Sequence, residues 1–334
     1  MMETLPRIAV IGTGGTISSV SPDSLDTLDY PEFGTKLTAA EVLARVPETA
    51  RVARTVPIPF RAVGSTAIGP TDWIALRDLI QRSAAEDPGL DGFVILHGTA
   101  TLEETAFFLD LTLGVTQPVV LVGAQRPISA LGTDAGSNLV AALRVAGSAE
   151  ARGLGVLVVL NDEIHAARDV VKTSTYRLQT FRSADFGALG HVDGDGLWMT
   201  RQPSRRPAPS AAFAGMALAA LPRVDIVLSY AGADGTMVEA AMAAGARGIV
   251  SAGLAPGIPT PAETEALRRA ASAGLAVVQC SRAASGRVGH RRHLREVGFI
   301  PGEDFSPQKA RILLMLALSR GADHDEFLRI FSAH

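Results

Sequence analysis

The chain has a single cysteine, Cys280, which excludes an internal disulfide framework and a cysteine-ligated zinc site. Lysine is almost as scarce: of 31 basic residues only Lys36, Lys172 and Lys309 are lysines. Lysine can lose its proton when buried and arginine cannot, so the few lysines are the positions where that chemistry is open. No apolar run reaches the roughly 18 residues of a membrane span. The opening MMETLPRIAV carries an acid and a proline where a secretory leader has basic and then apolar residues. Neither sign of charge dominates, with Lys+Arg 31 against Asp+Glu 34 and a net charge of −3, which leaves no electrostatic footprint for nucleic acid or an anionic membrane. What the chain does have is 47% hydrophobic residues over 334 positions, enough for a sizeable core and, at about 150 residues per domain, for two domains. These features predict a soluble, cytoplasmic, globular protein.

The first half alternates short apolar runs with amphipathic segments. Arg7–Ile11, Gly92–Leu96, Pro118–Val122 and Val156–Leu160 are nearly continuously apolar, as strands buried on both faces of a parallel sheet are. Between them Thr71–Ala85, Leu102–Leu113 and Ala135–Val145 space their apolar residues as sheet-covering helices do. The pattern breaks around Gly194–Pro222, and the Pro- and Arg-rich stretch there reads as an interdomain connection. A second α/β series follows: strands at Val224–Leu228, Gly248–Val250 and Leu275–Gln279, helices at Met237–Ala244 and Thr260–Ala273, and a final helix at Pro307–Leu318 with proline at its start. The expectation is a doubly wound α/β fold with a larger catalytic domain over 1–200, a linker over 201–222 and a smaller α/β domain over 223–334.

In open α/β sheets ligands sit outside the carboxyl ends of the strands. After the first run comes Gly12-Thr13-Gly14-Gly15-Thr16-Ile17, a tight turn supplying two hydroxyls. Ile17 stands where a dinucleotide fingerprint needs its third glycine, and there is no P-loop lysine, so no nucleotide cofactor is expected. After the second run, His97-Gly98-Thr99-Ala100-Thr101 leads into a helix, and Thr101 with Glu104 has capping-box spacing. Helix-start N–H groups there suit a developing oxyanion. After the third run, Gly123-Ala124-Gln125-Arg126-Pro127 is another tight loop, with Ser129, Asp134 and Asn138 at capping positions. After the fourth, Asn161-Asp162-Glu163-Ile164-His165 leads to Val171-Lys172-Thr173. Lys172 is either a desolvated base or a lysine that pairs with Asp169 or satisfies backbone carbonyls. Of seven histidines only His290 and His293 are close, with arginines between them and no acid or cysteine beside them, so no metal site is expected. Cys280, ending an apolar strand, reads as core.

Together these stretches resemble the bacterial L-asparaginase family over nearly the whole chain. The family's T-G-G-T-I is Thr13–Ile17, its H-G-T-D-T-x-E-E-T-A is His97–Ala106 with one change, and its N-D-x-I-x-x-A-R-x-V-x-K-T is Asn161–Thr173. Ser281-Arg282, Gly286-Arg287-Val288 and Ser306–Arg311 resemble its second domain. The resemblance implies a two-domain asparaginase-like fold and an amidohydrolase that releases ammonia through a threonine acyl-enzyme. Thr16 matches the nucleophile, Tyr30 its mobile tyrosine partner, and Thr99 with Lys172 the activating pair. Backbone N–H groups around Gly15, Ala100 and Ala124 would form the oxyanion hole, and Ser65 matches the serine holding the substrate α-carboxylate. The family's site is completed across a subunit interface, which implies a homotetramer, a dimer of dimers. The alternative is a non-catalytic small-amide binder of the same fold.

Three positions depart from the family pattern. Ala100 stands in place of the aspartate that binds the substrate α-ammonium. Pro256 falls near the family's asparagine, and Arg291 near the glutamate delivered by the neighbouring subunit. Each change removes a group that would hold a positive α-amino group, and Arg291 adds positive charge. The expected substrate is L-asparagine or a related small amide that lacks the α-amino group or carries extra negative charge.

Overall fold

A computed structural model describes residues 5–203 and 211–334; residues 204–210 of the expected 201–222 connection lie outside the described residues. Chain contacts divide the protein into two compact units, Met1–Met216 and Ala217–His334.

The N-terminal unit opens with β1 (Arg7–Gly12), a ribbon of β2 (Ser19–Val20) and β3 (Thr35–Lys36) enclosing the short α1 (Tyr30–Phe33), then α2 (Ala39–Arg45) and β4 (Arg54–Ile58). It continues through α3 (Pro70–Glu86), β5 (Gly92–Leu96), α4 (Leu102–Thr112), β6 (Val119–Val122), α5 (Ala135–Gly147), β7 (Val156–Leu160) and β8 (Glu163–Ala166). A second ribbon, β9 (Val171–Lys172) with β10 (Phe181–Arg182), precedes β11 (Gly190–Val192) and β12 (Leu197–Met199). One eight-stranded sheet runs β12-β11-β8-β7-β6-β5-β1-β4. Its β4, β1, β5, β6 and β7 are parallel, as the four apolar runs imply.

The other end of the sheet is antiparallel, which the apolar pattern does not announce. Asn161 and Asp162 both have positive φ, 53° and 63°, and Leu160 pairs with Glu163. That is a two-residue hairpin turn whose left-handed positions suit Asn and Asp. The loop expected after the fourth run is therefore a reversal into β8.

Period-two alternation sorts the strand side chains onto two faces. Ile8, Val10, Val94, Leu96, Val120, Val122, Leu157 and Val159 share one core cluster with Leu139, Leu143 and Val145 of α5. Elsewhere in this unit Trp73 of α3 stacks on Phe108 of α4 with ring centroids 5.6 Å apart. Truncating one of these buried leucines to alanine costs about 2–5 kcal/mol. Strand order reverses beside β1, which pairs with β4 on one side and β5 on the other. A ligand crevice opens at such a reversal. Here it gathers the loops that follow β1, β4 and β5.

The C-terminal unit comprises β13 (Val224–Leu228), α6 (Thr236–Ala243), β14 (Gly248–Gly253), α7 (Pro261–Ser272), β15 (Ala276–Ser281), α8 (Arg292–Val297), β16 (Ile300–Pro301), α9 (Pro307–Ser319) and α10 (His324–Ala333). Its four strands are parallel in sequential order. Thr260 and Glu263 form a reciprocal capping box with Pro261 at the first helical position of α7. The helix expected at Pro307–Leu318 is α9, packed on β13, β14 and β15. Cys280 is fully buried in β15, where burial pushes its thiol pKa up, as expected of a core residue. No helix among the described residues is long and apolar enough to cross a membrane.

Candidate active site

The site begins with backbone contact. Gly14 and Gly15 have φ of 106° and 81°, a region L side chains avoid. Gly14 bridges Val63, and the Gly15 N–H donates to the Val63 carbonyl at 2.8 Å. A Cβ on Gly15 would lie 2.1 Å from the Cα of Gly98, and a Cβ on Gly98 would lie 2.6 Å from the Cβ of Ser65. The loops after β1, β4 and β5 thus meet at Gly15, Ser65 and Gly98, a junction only glycines permit. The Gly15 N–H was expected around an oxyanion hole; it is committed to Val63, so Gly15 contributes conformation and not a donor. Thr13 likewise turns inward, its hydroxyl donating to the Leu96 carbonyl at 3.0 Å.

Two side-chain pairs, each with a threonine hydroxyl, flank this junction. Thr16 starts a single 3-10 turn, and its Oγ1 lies 2.8 Å from the Tyr30 hydroxyl at the head of α1. Burial is the main cause raising the Tyr30 pKa, opposed by the Thr16 hydrogen bond and reinforced by Asp134, Asp26 and Glu32. Tyr30 therefore stays a neutral phenol. Next to Gly98, the buried Thr99 accepts from Lys172 Nζ at 2.6 Å. The same Nζ donates to Gln125 Oε1 at 3.0 Å. Burial pulls the Lys172 pKa down, with the Glu103 carboxylate opposing. Glu103 in turn accepts the backbone N–H of Lys172 through a short hydrogen bond, which ties the β9 ribbon to the first turn of α4. Of the two readings of Lys172, the Nζ goes to Thr99 and Gln125, while the Asp169 carboxylate sits 3.5 Å from Arg168.

A third loop closes on Thr99. A Cβ on Gly123 would lie 3.0 Å from Thr99 Cγ2. This loop is held from below by Asp134, whose carboxylate accepts the N–H of Gln125 at 3.0 Å, the N–H of Arg126 at 3.0 Å and the side-chain amide of Asn138 at 2.9 Å. Asn138 donates a further bond to the Gly123 carbonyl at 3.0 Å. Asp134 and Asn138 were expected as helix caps; Asp134 makes no side-chain cap, and both brace the loop instead. Ser129 accepts the Ser21 N–H at 2.8 Å, steadying the segment that carries Tyr30. The capping box expected at Thr101 and Glu104 is also absent, because the Thr101 hydroxyl donates to the Ser65 carbonyl at 2.8 Å. Among the described residues no hydrogen bond engages the backbone N–H of Ala100 or Ala124.

His97 sits beneath Gly98, fully buried. Its Nδ1 lies 2.9 Å from the Gly98 carbonyl, which can only accept, so Nδ1 carries the proton and Nε2 accepts from the Thr105 hydroxyl at 2.9 Å. Burial lowers its pKa to about 4. His97 is thus a neutral prop for the turn. The described residues contain no group of three or more His, Cys, Asp or Glu able to hold a metal ion.

The family model described as Asparaginase, N-terminal matches residues 7–205, and the Glutaminase/Asparaginase C-terminal domain matches residues 223–331. The chain belongs to the asparaginase family. L-asparaginase 2 of Bacillus subtilis (strain 168) is 36% identical over 332 residues, covering 99% of this chain and 88% of that protein. A probable periplasmic L-asparaginase of Haemophilus influenzae is 37% identical over 321 residues, covering 96% of this chain and 90% of that protein. The crystal structure of a probable cytoplasmic L-asparaginase from Campylobacter jejuni has a TM-score of 0.93 and 36% identity, covering 98% of this chain and 100% of that one. A non-catalytic binder draws no support from these relatives.

The three positions expected to depart from the family pattern all lie outside helices and strands. Ala100 is exposed at the turn between Thr99 and Thr101 and presents only a methyl group. Pro256 lies in the loop between β14 and α7. Arg291 precedes α8, donates from Nη2 to the Gly257 carbonyl at 2.9 Å, and has a buried Nε without a hydrogen-bond partner. In the N-terminal unit the structure joins Gly15, Thr16, Tyr30, Ser65, Thr99, Ala100, Ala124 and Lys172; Arg291 belongs to the other unit. Gln125 was not expected at the site. The signal for it was its place in the tight glycine loop beside Ala124.

Proposed function

We propose that this asparaginase-family chain is an amidohydrolase that cleaves the side-chain amide of a small carboxylic acid to carboxylate and ammonia through a threonine acyl-enzyme. The observation that carries it is the pairing of Thr16 with Tyr30 and of Thr99 with Lys172 on loops whose glycines touch. A threonine hydroxyl is a weak nucleophile without a base, and a lysine whose pKa is depressed by burial is such a base. Thr16 Oγ1 attacks the amide carbon, giving up its proton toward the Thr99–Lys172 pair. Tyr30, remaining a phenol, orients Thr16, and the proton taken up by the Thr99–Lys172 pair passes to the departing nitrogen, which leaves as ammonia. The unengaged N–H groups of Ala100 and Ala124 receive the negative charge of the tetrahedral intermediate, a stabilisation of about 3–4 kcal/mol where one such donor is removed elsewhere. Water then attacks the acyl-enzyme by the same route in reverse.

Substrate choice follows from the departures. Ser65 is the contact for the carboxylate distal to the scissile amide. With Ala100 in place of a carboxylate, a substrate ammonium loses a charge-assisted bond worth about 1.5–3 kcal/mol, roughly tenfold or more in affinity. Pro256 and Arg291 act in the same direction, Arg291 as a cationic contact for a further carboxylate. The reading is therefore L-asparagine or, preferentially, a dicarboxylic acid monoamide without the α-amino group. It also carries a cytoplasmic location and a dimer of dimers in which Arg291 is delivered by a neighbouring subunit; light scattering on the purified protein measures the assembly.

The test is ammonia release from L-asparagine, L-glutamine, D-asparagine, succinamate and maleamate, with ring opening of a cyclic imide followed as formation of its monoamide, each beside Thr16→Ala. Turnover that disappears with Thr16 and favours a des-amino amide is the expected result. Strong turnover of L-asparagine at low KM removes the specificity argument, and turnover that survives Thr16→Ala removes the mechanism.

A further inference from the structure

Lys172 has two acceptors, and only one of them is the threonine it activates. The other is Gln125, which is 8% exposed and fixed at both ends. Its backbone N–H is held by the Asp134 carboxylate at 3.0 and 3.1 Å. Its side-chain Nε2 donates to the carbonyls of Thr175 and Arg177 at 3.3 and 3.0 Å. Backbone carbonyls can only accept, so these two contacts dictate which end of the amide is which, and the oxygen is the end that faces Lys172.

We propose that Gln125 is a positioning residue for Lys172: its amide oxygen aims the lysine nitrogen at Thr99 while adding no negative charge. The proposal rests on the amidohydrolase reading above. It matters because the loop that carries Thr99 offers a methyl group at Ala100 and no carboxylate. The charged groups that face Lys172 are few. Glu103 of α4 accepts the lysine's backbone N–H and its charge favours the protonated lysine, Asp134 is tied to the N–H groups of Gln125 and Arg126, and Arg168 and Asp169 on the approach to β9 contact each other. The lysine nitrogen bonds directly to a hydroxyl and a neutral amide, with Glu103 acting on it only through its charge, so its free base is reached at lower pH than a carboxylate at position 125 would allow. Gln125 also anchors the 175–177 turn, and a purely structural clamp would do that without touching the lysine's titration.

The scarcity of lysine makes the test direct. Lysine labelled at its ε-carbon gives three side-chain signals in this chain, from Lys36, Lys172 and Lys309, and Lys36→Arg and Lys309→Arg assign them. Lys172 is titrated by NMR in the wild type, Gln125→Glu and Gln125→Met, with a thermal melt for each. Gln125→Glu places an anion on the ammonium and is expected to raise the Lys172 midpoint by about 1–3 pH units. Gln125→Met removes the acceptor, and the midpoint is expected to fall. In turnover, the acid limb of kcat/KM moves with each midpoint, and Gln125→Met loses about tenfold or more in kcat with KM little changed. An unchanged Lys172 midpoint in both variants overturns the proposal. If Gln125→Met does not fold, the near-isosteric Gln125→Glu decides it alone. Because the titration needs no substrate, a wild type without amidase activity refutes the functional reading separately from the Gln125–Lys172 coupling.

Discussion

Gly15 is the most demanding residue of the site, and Gly15→Ala measures what the loop junction is worth. The new Cβ would lie 2.1 Å from Gly98 Cα and 2.4 Å from Gly98 N, both backbone atoms with no rotamer to turn away. The residue also has φ of 81°. A non-glycine residue at positive φ costs about 1–2 kcal/mol. Forcing a methyl group into packed structure adds about 1–3 kcal/mol. The expected loss is about 2–5 kcal/mol, a large part of the 5–15 kcal/mol that holds a typical fold. Gly153→Ala is the control, since Gly153 has φ of 75° and nothing within 4 Å of its Cβ position. Urea denaturation of the two variants separates the contact from the dihedral. Thr16 and Thr99 are the residues next to the touching glycines, and a displacement of about 1 Å at such a site costs on the order of a hundredfold in rate. Equal losses of stability in the two variants, with ammonia release intact in Gly15→Ala, would refute the close approach.

Two more perturbations test the surroundings. His97 is buried neutral with its pKa near 4 against 6.5 unfolded, so the unfolded chain binds its proton more readily. This contribution is complete above pH 6.5 and is lost as pH falls from 6.5 through 4, by about 3 kcal/mol. His97→Gln should flatten that part of the urea-midpoint profile, and an unchanged profile assigns the acid sensitivity elsewhere. Ala100→Asp should raise kcat/KM for L-asparagine relative to succinamate by about tenfold or more. A ratio that stays put means position 100 does not face the α-amino group.

The parallel core was legible because strands buried on both faces read as unbroken apolar runs, and β5, β6 and β7 sit where those runs are. β4 was not. Its RTVPI carries a proline, which an edge strand tolerates and a sequence reader counts against it. The antiparallel end was hidden for another reason. Asn161 and Asp162 are hairpin residues inside a motif whose lysine drew the chemical attention. At the site, the residues with reactive groups were visible, but their supports were not. Thr101, Asp134 and Asn138 each occupy positions where a cap is the local expectation, and in each case a distant carbonyl or N–H competes successfully for the side chain. Gln125 is the clearest instance. Its partners lie 47 and 52 positions along the chain, at Lys172 and Arg177, and only the fold brings them within reach.

The central claim is a covalent acyl group on Thr16. It is tested most directly by partition between water and hydroxylamine, using the amide and the methyl ester of the same acid as substrates. A shared acyl-enzyme gives the same ratio of hydroxamate to free acid from both, and neither product from Thr16→Ala. A ratio that depends on the leaving group would contradict the acyl-enzyme and with it the role assigned to Thr16.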